Sequence, residues 1–157
     1  MSAPTSKRQW QVEACTFDEV KVFASKASRE HVKVDCPAGT RYFCVRNLQP
    51  IKSNPAGVVT VVEVTDNRLL QNDVLGFAAL MLRHGAARFK ADWVRPDYRG
   101  RGIGKSLMAA RLAVLEQTHI ARATAFCTSL SLPLYKAHGF REMRVNERGI
   151  TFVEAKF

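Results

Sequence analysis

The segment Arg99–Ser106, which reads RGRGIGKS, combines glycines with positive charge in a way that suits an anion. Glycines between a strand and a helix let the main chain approach a ligand closely. The first N–H groups of a helix have no acceptor within the helix and lie at the positive end of its dipole. Arg95 adds to the positive charge, and Asp97 is the acid that opposes it in this stretch. These residues together predict a site for a phosphate group.

The spacing of the glycines excludes two common nucleotide-binding motifs. A P-loop ending at Gly104-Lys105-Ser106 would need a glycine in place of Arg99. A dinucleotide-binding fingerprint has the pattern G-x-G-x-x-G, whereas glycines 100, 102 and 104 form G-x-G-x-G. The strands before the segment also read as antiparallel neighbours, so the βαβ unit that the fingerprint requires is missing.

Two motifs resemble those of the GNAT superfamily of acyl-CoA-dependent N-acyltransferases. Val94-x-Pro96-x-Tyr98 followed by Arg99-x-x-Gly102-x-Gly104 is similar to the family's Arg/Gln-x-x-Gly-x-Gly/Ala motif. Leu134-Tyr135-x-x-x-Gly139-Phe140 is similar to the signature of its fourth helix. One helix (104–117) and one strand (121–128) separate the two motifs, in the order that the family has. The resemblance covers about residues 57–157.

The resemblance implies how acyl-CoA would bind. The pyrophosphate would lie on the main-chain amides of Arg101–Ser106, and the pantetheine arm between the strand ending at Val94 and the strand Ala121–Thr128. Thr128 stands where the family often carries Asn, and its hydroxyl keeps the ability to donate and accept hydrogen bonds. The implied cofactor-binding residues are Trp93, Val94, Arg99, Arg101, Gly102, Ile103, Gly104, Lys105, Ser106, Thr128 and Tyr135. The cofactor that the resemblance implies is acetyl-CoA or another acyl-CoA, and we expect no metal.

The resemblance also implies a direct attack of an amine on the thioester, without a covalent enzyme intermediate. The N–H of Val94 would stabilise the oxyanion, and Tyr135 would give a proton to the departing thiolate. For the base that deprotonates the amine, Asp92 is the candidate, because it precedes Val94 by two residues on one strand face. A surface or structural carboxylate is the equally open alternative. His138 is a weaker candidate, and no His or acid is tied to Cys127 by the spacing of a nucleophile.

The elements that would position these residues follow from hydrophobic periodicity and turn residues. We expect a helix from the capping box Thr16-Phe-Asp-Glu19 to about Arg29, a helix over 104–117 with the stripe Leu107, Met108, Leu112 and Leu115, and a short helix Leu132–Ala137. The expected strands are Gln9–Cys15, Arg41–Arg46, Val58–Val64, Val74–Arg83, Arg88–Val94, Ala121–Thr128, Arg141–Val145 and Ile150–Lys156.

Further details are expected around the centre of the chain. Cys36–Thr40 reads as a turn and Gln49–Gly57 as a loop. In Arg88–Val94, alternation places Phe89, Ala91 and Trp93 on one face and Lys90, Asp92 and Val94 on the other. The strands from Val58 to Val94 are expected to be consecutive antiparallel neighbours.

The length of 157 residues, with 46% hydrophobic residues, predicts a single domain over 1–157 with a loose tail at 1–6. The fold class is α/β (α+β). The GNAT resemblance implies a mixed, mostly antiparallel sheet of about six or seven strands, splayed at the cofactor cleft and flanked by about four helices. The longest apolar run, Val74–Leu82, is too short to span a membrane, and the sequence MSAPTSKRQWQVEA has no apolar stretch of signal-peptide length, so we expect a cytoplasmic protein. The four cysteines form no C-x-x-C pair, and we expect reduced thiols in or near the core.

The net charge of +10 bears on the acceptor, because a large basic excess favours an anionic partner. One hypothesis is a small-molecule or protein amine, with the charge merely solvated. The alternative is a nucleic-acid acceptor, such as a modified DNA base or an aminoacyl-tRNA, held by phosphate contacts. A third hypothesis is a non-catalytic acyl-CoA-binding module, and a homodimer is also open.

Overall fold

The computed structural model describes residues 10–53, 59–64, 69, 70 and 72–157, and of residues 48–53 and 59–64 the backbone alone. The expected tail at 1–6 lies outside the described residues. The strands are β1 (Glu13–Cys15), β2 (Thr40–Arg46), β3 (Leu48–Ser53), β4 (Val59–Val64), β5 (Val74–Arg83), β6 (Ala86–Val94), β7 (Arg122–Cys127), β8 (Arg141–Val145) and β9 (Thr151–Lys156). The helices are α1 (Phe17–Lys21), α2 (Ala24–Ser28), α3 (Ile103–Thr118) and α4 (Leu132–Ala137), with a 3-10 turn at Pro96–Tyr98.

Seven strands form one sheet in the order β1-β2-β5-β6-β7-β9-β8, and β6 and β7 are its parallel pair. Helices α3 and α4 pack on one face, where Met108, Leu115 and Tyr135 meet Phe89 in a buried cluster. Helices α1 and α2 pack on the other face, over β2, β5 and β6. The predicted mixed, mostly antiparallel sheet with flanking helices is therefore confirmed. No helix in the described part of the chain is long and apolar enough to cross a membrane.

The two parallel strands separate soon after they begin to pair. The ladder joins Ala87–Phe89 of β6 to Ala123–Ala125 of β7, whereas β6 continues to Val94 and β7 to Cys127. The predicted splay is thus confirmed. It leaves an open gap in the middle of the sheet, at the ends of the strands from which the Arg99–Ser106 loop and α4 follow.

A bulge in β6 overturns the predicted assignment of its faces. Ala91 has φ 56°, in the left-handed region, and the register against β5 shifts between Phe77 and Ala79. The extra residue interrupts the alternation. As a result Phe89 packs under α3, whereas Ala91 and Trp93 pack with the α1/α2 side of the core. The prediction that these three share a face is wrong.

Two predictions about the central part of the chain are also wrong. Residues Gln49–Ser53, expected in a loop, belong to strand β3, which pairs antiparallel with β4, and residues 54–57 of that expected loop lie outside the described residues. The pair forms a separate two-stranded sheet, so β4 is not the neighbour of β5. β2 takes that place, with Thr40 opposite Met81 and Val45 opposite Gly76. Pro50 did not prevent strand formation, because a two-stranded ribbon has free edges that tolerate a residue without an N–H.

The expected N-terminal strand and helix are shorter than predicted. Of the expected strand Gln9–Cys15, Gln9 lies outside the described residues, and from Trp10 onward only Glu13–Cys15 pairs with β2. The Trp10 indole instead lies against the glycine-rich loop and donates to the carbonyl of Arg101 at 2.8 Å. The helix expected from Thr16 to about Arg29 breaks into α1 and α2 at Val22 and Phe23. The break lets the Phe23 ring pack 5.3 Å from that of Trp93, measured between ring centres.

The capping box that opens α1 gives a test of the N-terminal fold. The Thr16 hydroxyl accepts from the Glu19 N–H at 3.3 Å, and a Glu19 carboxylate oxygen accepts from the Thr16 N–H at 3.1 Å. Thr16→Ala should lower the free energy of unfolding in urea by about 1 kcal/mol. Thr118→Ala is the matched control: its hydroxyl donates to Val114 within α3, so its loss should change stability by less than about 0.5 kcal/mol. Equal losses would show that the cap does not stabilise α1.

Candidate active site

The start of α3 presents main-chain N–H groups without acceptors. Gly102 caps the helix with φ 90°, and the first helical hydrogen bond runs from the Ser106 N–H to its carbonyl at 3.0 Å. Among the described residues, no acceptor takes the N–H groups of Ile103, Gly104 and Lys105. The geometry predicted for the anion site is therefore present at these three residues and Gly102, whereas the amide and hydroxyl of Ser106 are both engaged with Gly102.

Two of the four basic residues near the loop remain available to an anion. Arg101 and Lys105 are exposed, and the Arg101 guanidinium lies 5.0 Å from the centre of the Tyr98 ring. Arg95 instead turns to the other side, where its Nε donates to the carbonyl of Val74 at 2.6 Å. The positive charge at the loop is thus carried by Arg101 and Lys105, together with the α3 dipole.

Arg99, predicted as a cofactor ligand, makes two side-chain hydrogen bonds within the protein. Its Nε donates to the carbonyl of Val94 at 3.0 Å, and its Nη2 donates to the Glu30 carboxylate at 2.7 Å. The same carboxylate accepts from the indole N–H of Trp93 at 2.7 Å. The hydrogen bond from Arg99 lowers the pKa of Glu30 below its ordinary value of 4.5. Arg99 therefore connects the loop to the segment after α2.

The gap between β6 and β7 contains a cavity of about 420 Å³, here named the splay cleft. Most of the predicted site residues line it at the loop and on the two strands. Glu30 and His31 line it from the segment after α2, and Leu130 and Leu134 from the region of α4. The predicted residues among its lining are Asp92, Trp93, Val94, Arg99, Gly102, Ile103, Gly104 and Thr128.

The backbone of Val94 is oriented toward this cleft. The Arg95 N–H donates to the Leu75 carbonyl at 2.8 Å, and Val94 lies opposite Gly76. In an antiparallel ladder the N–H groups of successive residues point to opposite sides. The N–H of Val94 consequently points away from β5, into the gap where β7 has diverged.

The carboxylate of Asp92 is held from behind by two buried side chains. The guanidinium of Arg111, which is fully buried in α3, donates from Nη2 to Oδ1 at 2.5 Å, and the hydroxyl of Tyr135 donates to Oδ2. Arg111 also donates from Nη1 to the Tyr135 hydroxyl oxygen at 3.2 Å. Asp92 and Tyr135, two of the three predicted catalytic residues, are thus in direct contact, and Arg111, which the sequence motifs did not mark, contacts both.

Burial sets the protonation states in this cluster. It raises the pKa of Tyr135 well above its ordinary value of 10, so the phenol stays protonated. Burial works against the charge of Arg111, but the carboxylate of Asp92 outweighs it, and the pKa of the guanidinium lies above its usual range. Asp92 keeps 21% of its side chain exposed and lines the splay cleft, whereas Tyr135, at 1%, is not among the residues that line it.

The other candidates lie in different surroundings. Burial raises the pKa of the Cys127 thiol to about 12, which leaves it far from a reactive thiolate. His138 is bound by Nδ1 to the carbonyl of Leu134, 2.8 Å away. All four cysteines are free, with Cys44 and Cys127 buried, Cys15 partly so and Cys36 exposed. Among the described residues no group of three or more His, Cys, Asp or Glu side chains could hold a metal ion.

Sequence reasoning missed Arg111 and Glu30 for different reasons. Arg111 lies four residues from both Leu107 and Leu115, so it falls on the apolar stripe of α3, where a charge signals a buried partner. That signal was available in the sequence. Glu30 meets Arg99 across 69 positions, and no local pattern marks such a contact.

Comparisons with known proteins agree with this fold. The family model described as "Acetyltransferase (GNAT) domain" matches residues 55–142, more than half of the chain, and the protein belongs to this family. No curated protein matches it. The resemblance seen in the two motifs is therefore confirmed.

Solved structures with the same fold share little sequence with the chain. A GCN5-related N-acetyltransferase from Rhodopseudomonas palustris is 14% identical, with TM-score 0.64, over 99% of this chain and 100% of its own. The ribosomal-protein-S18-alanine N-acetyltransferase from Escherichia coli is 14% identical, with TM-score 0.62, over 93% and 92%. The PaiA N-acetyltransferase from Thermoplasma acidophilum, solved with coenzyme A, is 13% identical, with TM-score 0.56, over 89% and 68%.

The pairing of Arg111 with Asp92 can be measured by a double-mutant cycle. Arg111→Met removes the charge that faces a half-buried carboxylate, and should lower the free energy of unfolding by about 3 kcal/mol. In an Asp92→Asn background the same substitution should cost less, because no anion is left without its partner. The measurement is urea unfolding of all four proteins. An identical cost of Arg111→Met in both backgrounds would mean that the two groups do not stabilise each other.

Proposed function

We propose that the protein is an N-acyltransferase that moves an acetyl or other acyl group from acyl-CoA to an amine. The observation that carries this proposal is the splay cleft, which has free amides of α3 at one end and the Asp92 carboxylate on its wall. Membership of the GNAT family supports the reaction class. The coenzyme A in the Thermoplasma acidophilum structure supports the choice of cosubstrate.

The phosphate end of the cosubstrate would bind at the start of α3. The pyrophosphate accepts from the N–H groups of Gly102, Ile103, Gly104 and Lys105, which combine unsatisfied donors with the positive end of the helix dipole. The side chains of Arg101 and Lys105 are exposed nearby and add charge. A Cβ on Gly104 would lie 3.4 Å from the Leu134 side chain of α4, so α3 approaches α4 closely at this glycine.

The pantetheine arm would occupy the gap between β6 and β7. The outward N–H of Val94 is free to donate there, first to the thioester carbonyl and then to the oxyanion that forms when the amine attacks. Thr128 lines the opposite wall, with its hydroxyl 3.5 Å from that of Ser131. Collapse of the tetrahedral intermediate breaks the C–S bond, and coenzyme A leaves as a thiolate that takes up one proton.

Asp92 is the group that would exchange protons with the substrates, because it alone of the buried cluster reaches the cleft. Its carboxylate accepts the proton that the amine loses on attack. Tyr135 stands behind it as a protonated donor, and Arg111 fixes the carboxylate between them. One proton thus passes from the amine to the thiolate by way of Asp92, while the Tyr135 hydroxyl donates a hydrogen bond to the same carboxylate, and the products are an amide and a free thiol.

The affinity for coenzyme A tests whether the loop at the start of α3 binds the phosphates. Gly102→Glu should weaken the affinity for coenzyme A at least about tenfold, because a carboxylate at the cap repels the phosphates and covers the amides. Gly149→Glu is the matched control, since Gly149 also has positive φ and open space where its Cβ would be, in the turn between β8 and β9. Calorimetry would measure both. Equal affinity of the two variants would refute the loop as the phosphate site.

The kcat of two variants tests the proposed roles of Asp92 and Tyr135 in proton transfer. Asp92→Asn should lower kcat by about 100-fold or more, in the range of general acid–base catalysis. Tyr135→Phe should lower kcat by about tenfold, the effect of losing one hydrogen bond to a charged group, and leave the affinity for acetyl-CoA nearly intact. Both are measured by release of the coenzyme A thiol with a panel of amines. An unchanged kcat for Tyr135→Phe would remove this residue from the reaction.

The same assay separates an enzyme from a non-catalytic acyl-CoA-binding module. An enzyme releases free thiol in the presence of some amine of the panel, and a binding module binds acetyl-CoA in the calorimeter without releasing thiol above the rate of the Asp92→Asn variant. The panel should include small amines, a peptide with a free N-terminus and lysine, and amines carried on nucleic acid.

A further inference from the structure

One half of the central sheet is exposed on the side opposite α3 and α4. In β7, Ala123, Ala125 and Cys127 are buried against the helices, so Arg122 and Phe126 point the other way. In β9, Val153 and Ala155 are buried in the same core, which places Phe152 and Lys156 on the outer side. We name this surface the basic–aromatic face and define it as Arg88, Arg122, Phe126, Arg141, Arg144, Phe152 and Lys156.

The register places two phenylalanines at the centre of this face, with an arginine on each side. Phe126 lies directly opposite Phe152, and their ring centres are 5.1 Å apart. The Arg88 guanidinium lies 5.5 Å from the centre of the Phe126 ring, and that of Arg144 lies 4.6 Å from the centre of the Phe152 ring. Four strands, β6, β7, β9 and β8, thus present a continuous row of aromatic and guanidinium planes.

The charge of the face is almost entirely positive. Its cations are Arg88, Arg122, Arg141, Arg144 and Lys156, and Glu154, which lies between them on β9, is 9% exposed and accepts from Arg122 at 3.2 Å. Among the described residues, no carboxylate lies within ion-pair distance of Arg88 or Arg144. These guanidiniums therefore keep their capacity to bind phosphate oxygens.

Of the aromatic pair, Phe126 is exposed and Phe152 is half-buried. Phe126 leaves 51% of its surface in solvent, although the same strand buries its three alternate residues completely. An exposed aromatic cluster bordered by unpaired arginines is typical of a binding surface. Its composition matches the surfaces that take unpaired bases, which combine aromatic planes for stacking with cations for the phosphate chain.

The face leads directly to the predicted reaction centre. A second cavity, of about 260 Å³, lies between it and Asp92, and Arg88, Lys90 and Phe126 line it together with Asp92 and Thr128. Asp92 and Thr128 also line the splay cleft. A chain bound across the face would therefore extend one of its groups toward the carboxylate from the side opposite the loop.

We propose that the basic–aromatic face binds a single-stranded nucleic acid, with bases stacked on Phe126 and Phe152 and phosphates on Arg88 and Arg144. A single strand fits better than a duplex, because the bases of a duplex are stacked on each other and cannot reach an open sheet. The binding itself stands without the transfer reaction. The further step, that the acceptor amine is carried on this strand, rests on the function proposed above.

Fluorescence anisotropy of the full chain with labelled oligonucleotides tests the binding. The probes are a mixed-sequence DNA strand of about ten nucleotides, the RNA of the same sequence, the corresponding DNA duplex, and a polyglutamate of matched charge. We expect single strands of DNA or RNA to bind more tightly than the duplex and polyglutamate, with an affinity that falls steeply as salt increases. Absent binding, or equal binding of duplex or polyglutamate, overturns the proposal.

Variants of the face identify the contacts. Phe126→Leu keeps an apolar side chain and should weaken single-strand binding about tenfold through lost stacking. Arg144→Gln should reduce the slope of log affinity against log salt by about one. Arg41→Gln, on exposed Arg41 of β2, removes the same charge elsewhere in the sheet and should change neither quantity. Wild-type binding by Phe126→Leu would overturn the stacking role, as would a loss of the same size in Arg41→Gln.

Two further measurements separate this proposal from its alternatives. Each variant should bind coenzyme A as the wild type does, which shows that the fold is intact and that failure here is independent of the loop. Sedimentation should give the same mass for wild type and Phe126→Leu. A wild-type dimer that dissociates on Phe126→Leu would assign the face to a second copy of the chain and overturn the proposal.

Discussion

The left-handed backbone of Ala91 is the constraint on which the site depends. If β6 alternated regularly from Phe89, which faces α3, then Asp92 would face the α1/α2 side of the core. The bulge instead turns Asp92 toward α3, where Arg111 and Tyr135 hold it, and keeps Trp93 in the aromatic cluster on the other side. It also lies where β6 ceases to pair with β7. The bulge at Ala91 thus coincides with the opening of the cleft and sets the orientation of the Asp92 carboxylate.

The two ends of the cleft are built by different physical means. The loop end uses main-chain donors, which need glycine at position 102, with φ 90°, to expose the first turn of α3. The Asp92 end is built from side chains, and the buried guanidinium of Arg111 holds the Asp92 carboxylate at the edge of the apolar core. Arg99 joins the two ends by binding Val94 and Glu30 at once. Its side chain holds the loop to the strand and also lines the splay cleft, so the cofactor contact that the motif resemblance implies stays a prediction.

Local sequence patterns predicted those elements whose form is set by local forces. β5 and α4 match their predicted bounds, because an apolar segment on both faces and a helix ended by glycine are each specified within the segment. The capping box at Thr16 was likewise readable. β3 was missed because its structure comes from pairing with β4, and the bulge was missed because Phe89, Ala91 and Trp93 mimic regular alternation. In the site, the loop and Tyr135 followed from the motif resemblance and Asp92 from its position before Val94, whereas the Asp92–Tyr135 and Glu30–Arg99 contacts required the folded chain.

The full burial of Arg111 has a consequence for how this sequence can vary. A guanidinium with no access to water cannot lose its carboxylate partner without leaving an uncompensated charge inside the protein, and loss of the guanidinium would leave the half-buried carboxylate without its counter-charge. Mutational paths that alter one of these positions alone therefore pass through unstable intermediates. We therefore expect residues 92 and 111 to be substituted together during evolution, although one lies on a strand and the other on a helix.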